Sequence, residues 1–468
     1  MIRRDGYKGQ MDMPTSTDTP ATTPHPVTPH TPATRPKSAV SHAVGWVGLA
    51  GLLLWIAGAR YMLSLHGPTD YGGKWYALGS VAAAGIPMTL WSIFVDKVHR
   101  NPTTGIDWNA PAKPWRDMLP ISITRITGLW ATWLLIGGVY WAARWYHTGA
   151  YAFVIDVMEQ RVAFLPVYAW MFLLSIPYII WSDTRAAEPK DETWAFGAWL
   201  MGEEQPDWPR INRHLRAWAV KGFFLAFMIA GVPGGYANVV LTSWDDISAH
   251  VTHLALWLIA FMFVIDMGLA TTGYLLTLKP LDAHIRSATP YAAGWVAALI
   301  CYPPFVLMGN SAPLDYHVNT RDWTWWLRDM PWAASIASLR PYVMTLWGVL
   351  LVILTGIYAW ATMAFGIRFS NLTDRGILTH GPYAFTKHPA YLSKNIFWWL
   401  QTLPFIVTSD WKDAVRNTVI MAVVSGVYYW RARTEEWHLR ADPTYRDYEA
   451  WMNAHGLVTS RLKRLLRF

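Results

Sequence analysis

Near the C-terminus, chemically capable residues gather at the ends of apolar runs. Tyr383, His388 and Tyr391 fall within Gly376-Ile-Leu-Thr-His-Gly-Pro-Tyr-Ala-Phe-Thr-Lys-His-Pro-Ala-Tyr391, and Arg431, Glu435 and Glu436 follow roughly 40 residues later. Hydrocarbon tolerates such groups poorly, so a cluster of them usually serves a site rather than the fold. An arginine can hold a carboxylate or phosphate oxygen, and a glutamate can pair with a cation. His388-Pro389 opens a helix, because proline suits the first turn, where its missing N–H costs nothing. Free N–H groups at that helix start favour anionic or polar ligand groups. Arg431 and Glu435 are four apart and share one helical face, while Glu436 points elsewhere. The plainer alternative makes Arg431/Glu435 a solvated intrahelical pair and His388 a helix cap.

These residues need apolar elements to carry them. Hydrophobic residues make up 53% of the 468-residue chain and charged residues only 15%. The apolar residues fall in blocks near the roughly 20 residues that cross a bilayer. The spacing predicts about ten spans, at 44–65, 75–95, 121–145, 162–181, 216–241, 251–277, 290–308, 341–366, 392–408 and 413–430. The fold class is therefore all-α, a polytopic integral membrane helix bundle. Thirty-one tryptophans fit that class, since indole favours the membrane interface. With ten spans, alternate connecting segments hold 28 basic residues on one side and six on the other. The positive-inside rule then places both termini in the cytoplasm of a bacterial-type inner or plasma membrane. The formal charge of +8 reads as contact with anionic lipid, and no basic-aromatic module or zinc spacing suggests nucleic acid.

Residues 1–39 form a Thr/Pro-rich stretch too polar to fold alone, a disordered cytoplasmic tail. Residues 40–340 make a transmembrane region of unassigned role, and 341–468 a separate module. Trp194-Ala-Phe-Gly-Ala-Trp-Leu is too short to span and reads as interfacial, and Trp323-Thr-Trp-Trp-Leu-Arg as a patch on the outer membrane face. Asp266 lies mid-span in Phe261-Met-Phe-Val-Ile-Asp-Met, where a carboxylate costs at least about 2.5 kcal/mol by insertion scales. It contacts either substrate or a neighbouring helix. His250 and His253 lack the further ligands a metal needs, so no metal is expected. Cys301 is the single cysteine, which excludes an intramolecular disulfide.

Leu378-Thr-His-Gly-Pro-Tyr-Ala-Phe-Thr-Lys-His-Pro-Ala-Tyr391, followed by Arg431-x-x-x-Glu435-Glu436-x-x-Leu439 and Tyr445-x-x-Tyr448, resembles the isoprenylcysteine carboxyl methyltransferase family. The resemblance covers roughly residues 345–455. It implies an integral membrane enzyme that uses S-adenosylmethionine. It implies that the loop wrapping the cofactor corresponds to Arg375, Gly376, Ile377 and Leu378, with Tyr383 in the Gly-Pro-Tyr turn and His388, Pro389, Ala390 and Tyr391 beyond. It further implies that Glu435 closes the cofactor site and that Arg431 meets the substrate. The residue types suit that chemistry: tyrosine faces attract a sulfonium, and a glutamate pairs with an ammonium. Lys387 departs from the family's frequent arginine before His-Pro, keeping charge without the bidentate fork. Ser393-Lys394-Asn395 also departs, where a glycine-containing stretch is frequent.

The leading function is thus methyl transfer from S-adenosylmethionine to a carboxylate or phosphate oxygen of a lipidic or amphiphilic acceptor, with membrane lipids as surroundings. A nicotinamide-dependent ene reductase of the sterol type is the alternative. Such enzymes share a His-Pro-x-Tyr element but carry asparagine where Ala390 stands and lack the paired glutamates. A non-enzymatic lipid-binding or transport protein is the third reading, kept open by Asp266 and the unmatched spans.

Overall fold

In hydrocarbon each backbone N–H and C=O must be satisfied internally, so apolar runs of crossing length become helices. The computed structural model describes residues 32, 34–67, 70–143, 161–303, 305–309 and 311–461. Most of the expected disordered tail lies outside them. Six helices among the described residues are long and apolar enough to cross a bilayer. These are α1 (His42–His66), α2 (Lys74–Leu90, prolonged by a π turn at Trp91–Val95), α3 (Trp115–Ala143), α6 (Trp208–Leu241), α8 (Val251–Leu275) and α11 (Arg340–Ala364). Between them stand α4 (Arg161–Arg185), α5 (Glu192–Met201), α7 (Trp244–Ser248), α9 (Ala292–Leu299) and α10 (Trp323–Asp329). After α11 come α12 (Pro389–Thr402), α13 (Trp411–Leu439) and α14 (Pro443–His455). The protein is an all-α integral membrane bundle.

Helix α8 is central and packs on α1, α2, α6 and α11 around Leu52, Met88, Tyr236 and Leu269. Leu54, Leu134 and Leu346 expose 75%, 68% and 70% of their surface, which suits lipid rather than water. The only strands among the described residues are β1 (Ser287–Ala288) and β2 (Thr373–Asp374), paired antiparallel. They tie the ends of α8 and α11 together on one face, called here the site face.

Three expectations need correction. The span 290–308 is helical only over α9, about 12 Å of rise. From Thr289, beside the site face, to Asn319, whose carbonyl accepts from Thr408 N at 2.8 Å next to the start of α13, the chain crosses as a half-helix followed by coil. It runs antiparallel to α13, with Cys301, Leu314 and Tyr316 against Met421, Val424 and Tyr428. Irregular backbone is tolerated where protein covers it, and α13 covers one side of this coil, with Asp315 and Tyr316 buried and Phe305 left 52% exposed. The span 392–408 is helical only to Thr402, since Leu403 turns left-handed (φ 49°) before Pro404. The 194–200 segment packs its first five residues against protein and leaves Trp199 and Leu200 exposed. Asp191 caps α5, and Gly197 and Gly128 let α5 and α3 touch so closely that a Cβ on Gly197 would lie 1.9 Å from Thr124 O. Trp323 and Trp326 of α10 are fully buried against α11 rather than spread on a membrane face.

Candidate active site

The loop joining α11 to α12 carries few apolar residues, so polar anchors must fix it. Arg375 supplies most of them. Its Nε donates to Ala283 O at 2.7 Å, Nη1 to Gly273 O at 3.0 Å and Phe369 O at 2.7 Å, and Nη2 to Ile367 O at 2.9 Å. Burial without an acidic partner pushes its pKa down to about 9, still charged at neutral pH. Arg368 adds a second tie, donating to Arg375 O at 3.0 Å and to Asp282 Oδ2 at 2.7 Å. Asp282 is itself held by Asn101 and Thr103 at 2.9 and 2.8 Å. Gly376 follows with φ 100°, and an added Cβ would lie 2.5 Å from Arg368 Nη1 and 2.7 Å from Ala39 Cβ. Only glycine fits there. The last residues of the expected N-terminal tail are ordered against this loop. Ala39 N donates to Ile377 O at 2.9 Å, Thr379 Oγ1 to Pro36 O at 2.7 Å, and His380 Nδ1 lies 2.8 Å from Ser38 Oγ.

Below the loop, α12 and α13 form a hairpin, and α14 folds back over it through Tyr448, whose hydroxyl donates to Tyr383 O at 2.7 Å. These elements enclose a cavity of about 160 Å³, open at its mouth. On one wall the Tyr391 hydroxyl donates to Glu435, and Arg431 Nη2 donates to Asn371 Oδ1 at 2.6 Å. The Arg431 guanidinium also sits 5.2 Å from the Tyr391 ring centroid and 5.5 Å from that of Tyr302. Its Nε lies 3.7 Å from Glu435, beyond hydrogen-bond reach, and is left without a partner. The Tyr445 hydroxyl, also on the cavity wall, is buried and unpartnered. Burial pushes the Tyr383 and Tyr445 phenols up, so both remain neutral. Two orphaned donors turned to one cavity are what an absent acceptor-bearing ligand would satisfy.

His388 is the N-cap of α12 but makes no capping bond. Its Nε2 lies 3.0 Å from Glu436 Oε1 instead. Glu436 gathers Lys387 at 2.6 Å, Arg433 at 2.5 Å and Arg440 at 3.6 Å as well. Lys387 reaches Glu449 too, at 3.1 Å. Glu436 thus faces away from Arg431, as the helical spacing requires, and orients the histidine.

The structure brings Arg375, Gly376, Ile377, Leu378, Tyr383, His388, Ala390, Tyr391, Arg431 and Glu435 to the wall of this one cavity. Arg375 serves it through the loop it pins, since its guanidinium is occupied by carbonyls. Pro389 is buried and does not line the cavity. Asp266 does not line it either. Its carboxylate accepts from the Thr362 hydroxyl of the neighbouring helix, one layer behind the wall. Residues the sequence reading missed include Met228, Thr289 and Tyr302, contributed by the region before residue 340, and Tyr358, Lys394 and Tyr428. For Lys394 the signal was present, an ionisable residue inside an apolar run. For the others only the tertiary fold places them.

Among the described residues no group of three His, Cys, Asp or Glu side chains could hold a metal ion. Comparison with curated proteins and with solved structures gives no match. Residues 345–441, which carry α11, the loop, α12 and α13, match the isoprenylcysteine carboxyl methyltransferase (ICMT) family, and this match over the C-terminal part of the chain supports a membrane methyltransferase.

Proposed function

We propose that the cavity binds S-adenosylmethionine and presents an anionic oxygen of a membrane amphiphile to it, as an O-methyltransferase. The observation that carries this reading is the wall formed by Tyr391, Glu435 and Arg431 facing Tyr383. The residue types fit the cofactor. Tyr383 and Tyr391 offer faces to a sulfonium, Glu435 a carboxylate to an ammonium, and the orphaned Tyr445 hydroxyl a donor to a polar edge. Gly376, Ile377 and Leu378, fixed by Arg375, would wrap it together with His388 and Ala390, with Pro389 setting the start of α12 behind them. When bound, S-adenosylmethionine supplies an electrophilic methyl group. Arg431, buried with a free Nε, holds the acceptor oxygen in line. Glu435 screens the arginine and anchors the Tyr391 ring. Alignment and exclusion of water then account for much of the acceleration, without a covalent intermediate. Nothing in the comparisons favours the reductase or the transport reading.

Glu435→Gln keeps shape and removes charge. It is expected to weaken S-adenosylmethionine binding by about 1.5–3 kcal/mol, the range for a lost charge-assisted bond. Titration calorimetry on the purified protein measures this, and wild-type affinity would remove Glu435 from the cofactor site. Arg431→Lys is expected to leave cofactor affinity nearly intact while lowering turnover, because the planar fork is lost. Equal loss of both would place Arg431 with the cofactor instead.

The site face is proposed to be cytoplasmic, where the cofactor is found. The described ends of the chain, residues 36–39 and α14, both lie there, in keeping with the charge asymmetry. A cysteine at position 325 on a Cys301→Ser background should accordingly label only from outside. Labelling only from the cytoplasm would invert the orientation.

A further inference from the structure

Lys394 stands one turn beyond Ala390 and Tyr391 on α12, and all three line the cavity. Its Nζ lies 5.0 Å from the Tyr358 ring centroid and 6.0 Å from that of Tyr428. Among the described residues it has no hydrogen bond and no carboxylate within ion-pair distance. The nearby Asp266 is engaged by Thr362 behind the wall. The register of the hairpin, set by Tyr391 on Glu435 and by Trp399 Nε1 on Ser425 Oγ at 3.0 Å, puts Lys394 level with Arg431 on the facing helix. The Tyr302 and Tyr428 hydroxyls, on the same cavity wall, have no hydrogen-bond partner among the described residues. Two carboxylates stand near this end: Glu435 already accepts from Tyr391, and Asp266, behind the wall, accepts from Thr362 and lies within electrostatic reach of Lys394. This end of the cavity therefore offers an ammonium, a guanidinium and two phenols, and almost no free acceptor. A buried ammonium whose hydrogens meet no acceptor is costly, and an anion's oxygens would supply one.

We infer that Lys394 and Arg431 together clamp the headgroup of a lipid phosphate monoester, and that this is the acceptor class of the methyl transfer proposed above, on which the inference rests. A carboxylate has two coplanar oxygens, which one guanidinium fork satisfies. A second cation on the facing helix, with two more donors, exceeds that capacity. A phosphate monoester offers three oxygens and a charge of about −1.5 to −2 at neutral pH, which matches the donor set. In the transfer, a lone pair on a phosphate oxygen forms the O–CH₃ bond while the S–CH₃ bond breaks and its electron pair stays on sulfur. A dianionic monoester becomes a monoanionic methyl diester and the sulfonium a neutral thioether. No proton acceptor or redox partner is needed.

Binding without cofactor tests the clamp. The full chain in zwitterionic nanodiscs is titrated calorimetrically with dodecyl phosphate and, separately, dodecanoate. Dodecyl phosphate should bind saturably and about tenfold or more tighter than dodecanoate, and Lys394→Met should remove most of that preference, while Lys394→Arg retains it. Should Lys394→Met not fold, Tyr428→Phe is expected to weaken dodecyl phosphate binding severalfold and leave dodecanoate binding unchanged. Equal binding of the two amphiphiles, or a phosphate preference that survives Lys394→Met, would overturn the clamp. S-adenosylmethionine is titrated in parallel. A wild-type protein that binds dodecyl phosphate through Lys394 but fails to bind S-adenosylmethionine sinks the methyltransferase reading and leaves the phosphate site standing.

Discussion

Replacing Arg375 by methionine is expected to destabilise the protein by about 1.5–3 kcal/mol or more, the range for losing hydrogen bonds to a charged group. The cost arises because the guanidinium is the shared donor of four carbonyls, on Gly273, Ala283, Ile367 and Phe369. Methionine fills a similar volume and supplies no donor, so those carbonyls lose a charged partner in a site only 3% exposed. The loss falls on the loop first. Cofactor affinity should drop along with the thermal midpoint, although the Arg375 side chain itself is turned to backbone. Arg375→Lys keeps the charge with three donors in place of five and should recover only part of the stability. Wild-type thermal stability in Arg375→Met would show that the loop is held by other contacts.

Glu436→Gln is expected to cost a comparable amount. The Glu436 carboxylate is the common partner of Lys387, His388, Arg433 and Arg440, and replacing it by an amide leaves a like-charged cluster behind. Glu436 lies on the part of α13 that continues past the bilayer. Its neighbours, led by the His388 bond against the penalty of burial, hold its pKa down at about 2. An unfolded glutamate titrates near 4.3. A folded-state pKa below the unfolded one gives stability that is full above about pH 5 and is lost as pH falls toward 2. The gap in thermal midpoint between wild type and Glu436→Gln should therefore be widest near neutrality and narrow steadily on acidification below pH 5. A gap independent of pH would mean that the amide acts through shape rather than charge. Glu449 contributes in the same direction, and because it shares Lys387 and Arg440 with Glu436 its own contribution changes with the substitution.

Long apolar helices were legible because hydropathy and length are local properties. Helices α1, α6, α8 and α11 lie within a few residues of their expected bounds, apart from the polar first turns of α6. The broken crossing was less legible, since its composition matches a span. The sign of it was Tyr302-Pro303-Pro304, where proline removes a donor and disfavours helix in the preceding residue. The convergence of Tyr391, Arg431 and Glu435 followed from the hairpin and the four-residue spacing. The partner of His388 did not, because the crossing of α12 over α13, not the sequence, decides which of two adjacent glutamates meets it. Tyr302, Tyr358 and Met228 carry no local mark of a site. They reach the cavity only because α6, α11 and the coil after α9 pack around it.

The half-helix and coil between Thr289 and Asn319 also bear on how the chain enters the bilayer. Eight residues of helix leave most of that segment's backbone groups unsatisfied in lipid, so it has no stable transmembrane state alone. Its cover is α13, which begins at Trp411, nearly a hundred residues later in synthesis. The segment must therefore wait at the interface while α11 and α12 are made, and thread inward only as α13 arrives. Completion of the cavity awaits α13, and a nascent chain halted before it is expected to hold its earlier helices in the membrane without a closed cavity wall.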